Sequence, residues 1–189
     1  MDLDRPIDFK LLGDAIGYYE QEGYKNTLTN WSVLKSTTDI TFKSDEVFRD
    51  NINDKIWVGS AEQGFIELML QGKIKPGKYQ STTPCFRNEL LIDKFHKQYF
   101  MKTELINILE DDDYEIKLEE IIHSAYNFFS SYLDKQYLKI IEVPQDSSIS
   151  NYDIEYKGIE LGSYGFRVYK HIKWIYGTGC AEQRLTYCR

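Results

Sequence analysis

Between Cys85 and Glu104 the chain reads CFRNELLIDKFHKQYFMKTE, a stretch that gathers Arg87, Glu89, His96, Phe100 and Glu104 with no glycine or proline among them. If Phe86 to Glu89 close one strand and Gln98 to Glu104 open the next, alternation puts Arg87, Glu89, Phe100, Lys102 and Glu104 on one sheet face. Such a set either neutralises itself as structural salt bridges or surrounds something that fills the space between. A second group lies in YDIEYKGIELGSYGFR, where Asp153 and Glu160 are hard oxygen donors and Arg167 follows. A third, GlyThrGlyCysAlaGluGlnArgLeu at 177 to 185, leads from a glycine-rich turn to Arg184. Read singly, each has an ordinary structural meaning: strand acids, a tight turn, a solvated arginine.

The elements that must hold these groups can be read from periodicity. Residues 8 to 22 carry Leu11, Leu12, Ile16 and Tyr19 at helical spacing, closed by Gly23, and Tyr114 to Leu138 repeats that pattern over a longer amphipathic helix. Its His123 reads as a surface or packing residue. A short helix is expected at 61 to 71, ended by Gly72. Strands are expected at 78 to 87 and 97 to 107, joined by a polar loop around 90 to 95, and again at 152 to 160 and 165 to 175 around LeuGlySer. Helices and strands mix without βαβ alternation, which predicts an α+β domain, an antiparallel β-sheet flanked by helices.

The 189 residues, 42% apolar, suffice for one domain spanning 1 to 189 with its own core. No apolar run is long enough for a membrane span, and the acidic start MDLDRPIDFK lacks the order of a signal peptide, so a cytoplasmic protein without membrane association is expected. Cys85, Cys180 and Cys188 are odd in number and show no CxxC spacing, which points to reduced thiols. A net charge of -7 argues against a broad nucleic-acid face but leaves room for a local site that grips one nucleotide.

PheArgAsnGlu at 86 to 89, followed by His96, Phe100 and Glu104 at four-residue steps, resembles motif 2 of the class II aminoacyl-tRNA synthetases. The 177 to 185 block resembles motif 3, with Ala181 where a third glycine is usual. Asp153, Gly158, Glu160 and Arg167 resemble the strand pair of the aspartyl and asparaginyl branch, and the segment is also similar to ammonia-dependent asparagine synthetase. Residues 23 to 30 sit where motif 1 would be, with Asn30 in place of its proline; in the family that motif helps to build a dimer, so a homodimer is implied.

What the resemblance implies is a class II synthetase-like catalytic core that activates an aspartate-like amino acid with ATP and Mg²⁺, forming an acyl-adenylate and releasing pyrophosphate. Arg87 and Arg184 would be the catalytic cations. Arg87, Glu89, His96, Phe100, Gly177, Gly179 and Arg184 would hold ATP, with adenine sandwiched between Phe100 and Arg184. Ser60, Glu62, Glu104 and Arg167 would hold the amino acid, and Asp153 and Glu160 the metal. No segment reads as an anticodon-binding domain, so ammonia, another amine or a carrier protein is an easier acceptor than tRNA. The competing expectation is a synthetase-derived regulatory protein that binds an amino acid or nucleotide without turnover.

Overall fold

The computed structural model describes residues 6–42, 48–144 and 151–189. Helix α1 (Phe9–Gln21) starts where the Asp8 carboxylate accepts from Leu11 N, and its buried side chains are Leu11, Leu12, Ala15 and Tyr19. Strand β1 (Lys25–Asn26) follows a turn at Gly23, whose φ of 88° suits glycine. Next come β2 (Ser32–Val33), α2 (Lys35–Thr38), β3 (Arg49–Asp50) and β4 (Lys55–Trp57), and β2-β4-β3 form a small sheet. Then follow α3 (Ala61–Leu70), β5 (Gly77–Phe86), β6 (Tyr99–Leu109), α4 (Tyr114–Ser130), β7 (Leu138–Val143), β8 (Asn151–Tyr156), β9 (Ile159–Tyr169), β10 (Ile172–Ala181) and α5 (Glu182–Cys188).

The main sheet runs β1-β5-β6-β10-β9-β8-β7, and only the β1–β5 pair is parallel. One face packs against α1, α4 and α5, with Tyr19, Ile121, Phe128, Phe129, Tyr164 and Leu185 in its core. The other face is half covered. There α3 lays Phe65, Ile66 and Met69 over Ile106, Ile108 and Trp174, each fully buried apolar side chain contributing about 1.5–3 kcal/mol, and the part of that face beyond α3, the open part, turns polar with Ser81, Thr83, Glu104 and Thr178 still buried. The expected antiparallel sheet flanked by helices is thus present. Among the described residues no helix is long and apolar enough to cross a membrane.

Two expectations need correction. The long helix stops at Ser130 rather than Leu138: Asp134 caps a 3-10 turn at Lys135–Tyr137, and the chain then extends into β7. The strand pair expected around LeuGlySer turns elsewhere. Lys157 and Gly158, with φ of 52° and 78°, make the tight turn between β8 and β9, and Lys170, with φ of 55°, helps make the next, so LeuGlySer lies within β9.

Candidate active site

The open face is set by register. Cys85, Thr83 and Ser81 on β5 face Phe100, Lys102 and Glu104 on β6. Glu104 in turn faces Thr178 on β10, where Tyr176 and Trp174 continue the row, opposite Gly165 and Arg167 of β9. One ladder bond beyond β5, from Arg87 N to Gln98 O at 2.9 Å, keeps Arg87 on the Phe100 face. Glu89 leaves the ladder, so the expected five-residue array becomes four, and Glu89 instead lines a cavity of about 510 Å³ with Phe42, Arg87 and His96.

Arg87 is fixed from several sides. Its Nε donates to Gly59 O at 3.2 Å, and its Cζ lies 5.3 Å from the Phe42 ring centre and 5.2 Å from that of Phe100. Planar guanidinium against aromatic faces is a favourable cation-π arrangement. The following loop is tied by Asp93, whose Oδ1 accepts from Phe95 N and His96 N, both at 2.7 Å, and contacts His96 Nδ1 at 3.0 Å. Those bonds, the one from Phe95 N foremost, hold the Asp93 carboxyl below the usual aspartate value.

At the covered end of the face, Glu62 of α3 is 3% exposed and accepts from Trp174 Nε1 at 2.8 Å. Arg167 Nε lies 3.1 Å from the same Glu62 oxygen, an ion pair too bent for a hydrogen bond, so this buried Nε has no hydrogen-bond partner among the described residues. The Arg167 guanidinium also covers the Tyr176 ring at 4.5 Å. Tyr176 OH donates to Asn151 Oδ1 at 3.3 Å, and burial pushes its own pKa up to about 12. Gly165 lets these groups close in: a Cβ there would lie 2.0 Å from Asn151 Oδ1 and 2.6 Å from Tyr176 OH. Ser60, expected near the substrate, caps α3: its Oγ accepts from Glu62 N at 3.1 Å while Gln63 Oε1 accepts from Ser60 N at 2.9 Å.

Between Phe100 and this recess sits a buried pair. Lys102 Nζ is 2.7 Å from Glu104 Oε2, with side chains 11% and 1% exposed. Burial raises the Glu104 carboxyl above its ordinary value, opposed by Lys102 and reinforced by the charge of Glu62.

Asp153 and Glu160 share the open face because the bulge between the pairings of Ile154 and Glu155 sets Ser163 opposite Asp153 and Glu160 opposite Glu155. Burial first, and then the charge of Glu160, raises the Asp153 carboxyl. Two hard oxygen donors that repel each other could hold a divalent cation such as Mg²⁺. Among the described residues no group of three or more His, Cys, Asp or Glu side chains gathers to hold a metal, so further ligands would come from the bound molecule. Arg184 reaches Glu160 through Nη1, 2.7 Å from Oε1 and 3.1 Å from the backbone oxygen. Of the groups expected to hold adenine, Phe100 lies under Arg87 and Arg184 pairs with Glu160. Gly177 and Gly179 face the opposite side, where an added Cβ would meet Tyr164 at 2.6 Å and Tyr19 at 2.8 Å. They make room for the core behind the sheet.

Sequence reading placed Lys102 on the Phe100 face without a role and missed Phe42, Asn151, Trp174 and Tyr176. Lys102 had a signal, since it lies midway between Phe100 and Glu104 on the same alternation; the other four reach the site through pairings that no local pattern announces.

At the level of sequence, no family model and no curated protein matches the chain. In three dimensions it is similar to the cytoplasmic serine-tRNA ligase of Naegleria fowleri in complex with AMP, with a TM-score of 0.76 at 17% identity, covering 94% of this chain and 52% of that one. The seryl-tRNA synthetase of Pyrococcus horikoshii complexed with ATP gives 0.74 at 18%, covering 96% and 49%. A pyrrolysyl-tRNA synthetase structure from Desulfitobacterium hafniense gives 0.75 at 14%, covering 97% and 69%. The chain thus spans about half the length of the two seryl enzymes. The fold is that of the class II aminoacyl-tRNA synthetase catalytic core.

Proposed function

We propose that this chain activates an amino acid with ATP, forming an acyl-adenylate and pyrophosphate, and that the substrate is aspartate-like. The observation that carries the reading is the charge order along the open face: Arg87 and Lys102 at the Phe100 end, Glu104 and Glu62 in the middle, Arg167 at the far end. A dicarboxylic amino acid offers the complementary order of carboxylate, ammonium, carboxylate. Arg167 supports the far contact because it is 35% exposed and its Nε lacks a hydrogen-bond partner among the described residues.

In this reading ATP lies with its base on Phe100, beside Glu89 and His96, once Arg87 swings from the ring toward the α-phosphate. Arg87's planar donors then bridge that phosphate and the attacking carboxylate. Arg184 leaves Glu160 for the outer phosphates. Asp153 and Glu160 would hold Mg²⁺, which neutralises phosphate charge when bound. Glu62 and Glu104 face the ammonium, and Ser60 acts through α3 by keeping Glu62 at the recess. Catalysis rests on positioning and charge, since the protein need move no proton. Ammonia or another amine is the favoured acceptor, because the net charge of -7 opposes a polyanionic partner such as tRNA.

ATP–pyrophosphate exchange against each of the twenty amino acids tests the proposal. Aspartate or asparagine should support exchange best, with Mg²⁺ required. Exchange with no amino acid, alongside tight binding of ATP, would instead establish a nucleotide-binding regulatory protein.

A further inference from the structure

The activation reading uses Lys102 only as a charge at the Phe100 end of the face, yet this residue lies where the two reactants meet. On β6, Phe100, Lys102 and Glu104 point to the same face at steps of about 7 Å, two residues at a time. A base on Phe100 and an amino acid held by Glu62 and Arg167 must therefore meet above Lys102. Register supports the same placement: Lys102 lies between Thr83 of β5 and Ala181 of β10, one step from the Glu104–Thr178 pair. Lys102 and Arg87 also converge. Both cations act on the Glu104 carboxyl and on the buried Cys85 thiol, each pulling those groups downward against the effect of burial.

A buried ion pair is a poor device for stability. Both ions lose hydration, and apolar residues of similar volume commonly serve as well. The Lys102–Glu104 pair, with side chains 11% and 1% exposed, needs another reason to exist at this place.

We propose that Lys102 is a second catalytic cation beside Arg87, its ammonium lying against the substrate carboxylate and the α-phosphate, and that Glu104 is the positioning residue that holds it there. The inference rests on the activation reading. In the step concerned, a carboxylate oxygen forms a bond to the α-phosphorus as the bond from that phosphorus to the bridging oxygen breaks. Pyrophosphate leaves with the electron pair, and no proton is transferred. Arg87's fork orients the two reactants, whereas the compact ammonium of Lys102 supplies a point charge to the oxygens that gain negative charge.

The test compares parent, Lys102→Met, Lys102→Arg, Glu104→Gln and Lys102→Met/Glu104→Gln. Aspartate-dependent ATP–pyrophosphate exchange is measured beside calorimetric binding of ATP and aspartate and thermal unfolding. Lys102→Met should lower kcat for exchange about 100-fold or more, on the scale seen when one donor to a developing charge is removed, a larger loss than the weakening of either Kd. Lys102→Arg should recover part of the rate. The double variant removes both charges, so it should unfold at the parent's temperature and remain at least about tenfold slower than Glu104→Gln alone. If the double variant exchanges as fast as Glu104→Gln alone, Lys102 only neutralises Glu104 and the proposal is overturned. It is equally overturned if Lys102→Met exchanges within threefold of the parent, an outcome that leaves the activation reading standing. Absence of exchange in the parent with every amino acid removes both.

Discussion

Arg167→Leu is the most direct probe of the recess. The substitution keeps a similar apolar stem and deletes the guanidinium, leaving Glu62 with only the Trp174 indole donor at 2.8 Å. Truncating one partner of a buried charged contact costs about 2–5 kcal/mol, and a hydrogen bond to a charged group contributes about 1.5–3 kcal/mol. The lower end applies here, because the Arg167 side chain is 35% exposed while that of Glu62 is 4% exposed, and solvent screens the outer part of the guanidinium. A loss of about 2 kcal/mol corresponds to a roughly 30-fold rise in the Kd for aspartate. ATP affinity should hold within about twofold, since the guanidinium lies over Tyr176 rather than near Phe100. Calorimetric titration of aspartate and of ATP into parent and variant measures both constants, and near-ultraviolet circular dichroism checks the packing around Trp174. A folded variant that binds aspartate as tightly as the parent would refute the placement of the side-chain carboxylate and, with it, the aspartate-like reading.

Asp153 provides a pH test. A carboxyl held above its ordinary 3.8 favours folding below the unfolded-state value, and that advantage is lost as pH rises through the raised folded value. Asp153→Asn should therefore raise Tm at neutral pH without metal, whereas Mg²⁺ added with ATP should raise the parent's Tm more than the variant's; a variant less stable than the parent at every pH would contradict the assigned strain. Gly165→Ala would drive a methyl into Asn151 Oδ1 and Tyr176 OH, at 2.0 and 2.6 Å in the parent geometry. Overpacking of that kind costs about 1–3 kcal/mol, so Tm should fall and aspartate binding weaken together, and an unchanged Tm would mean that the recess is softer than its contacts imply.

The helices α1, α3 and α4 and the pair β5 and β6 were legible because their signals are local: apolar spacing, caps and strand alternation. So were the types of the chemical groups, since an arginine fork, paired acids and an aromatic platform can be recognised wherever they lie. Boundaries set by competing local forces were less so, as at Ser130, where apolar spacing continued but Asp134 and the extended run after it drew the chain into β7. Only the tertiary structure decided which groups meet. Trp174 and Glu62 are 112 residues apart in sequence, yet the indole of one donates to the carboxylate of the other. Arg184 pairs with Glu160, and Gly177 and Gly179 turn toward the core behind the sheet. The physical reason is that sequence fixes each side chain's chemistry and its alternation along a strand, whereas the partner across the sheet depends on strand order, register and bulges, which the whole chain sets when it buries both faces.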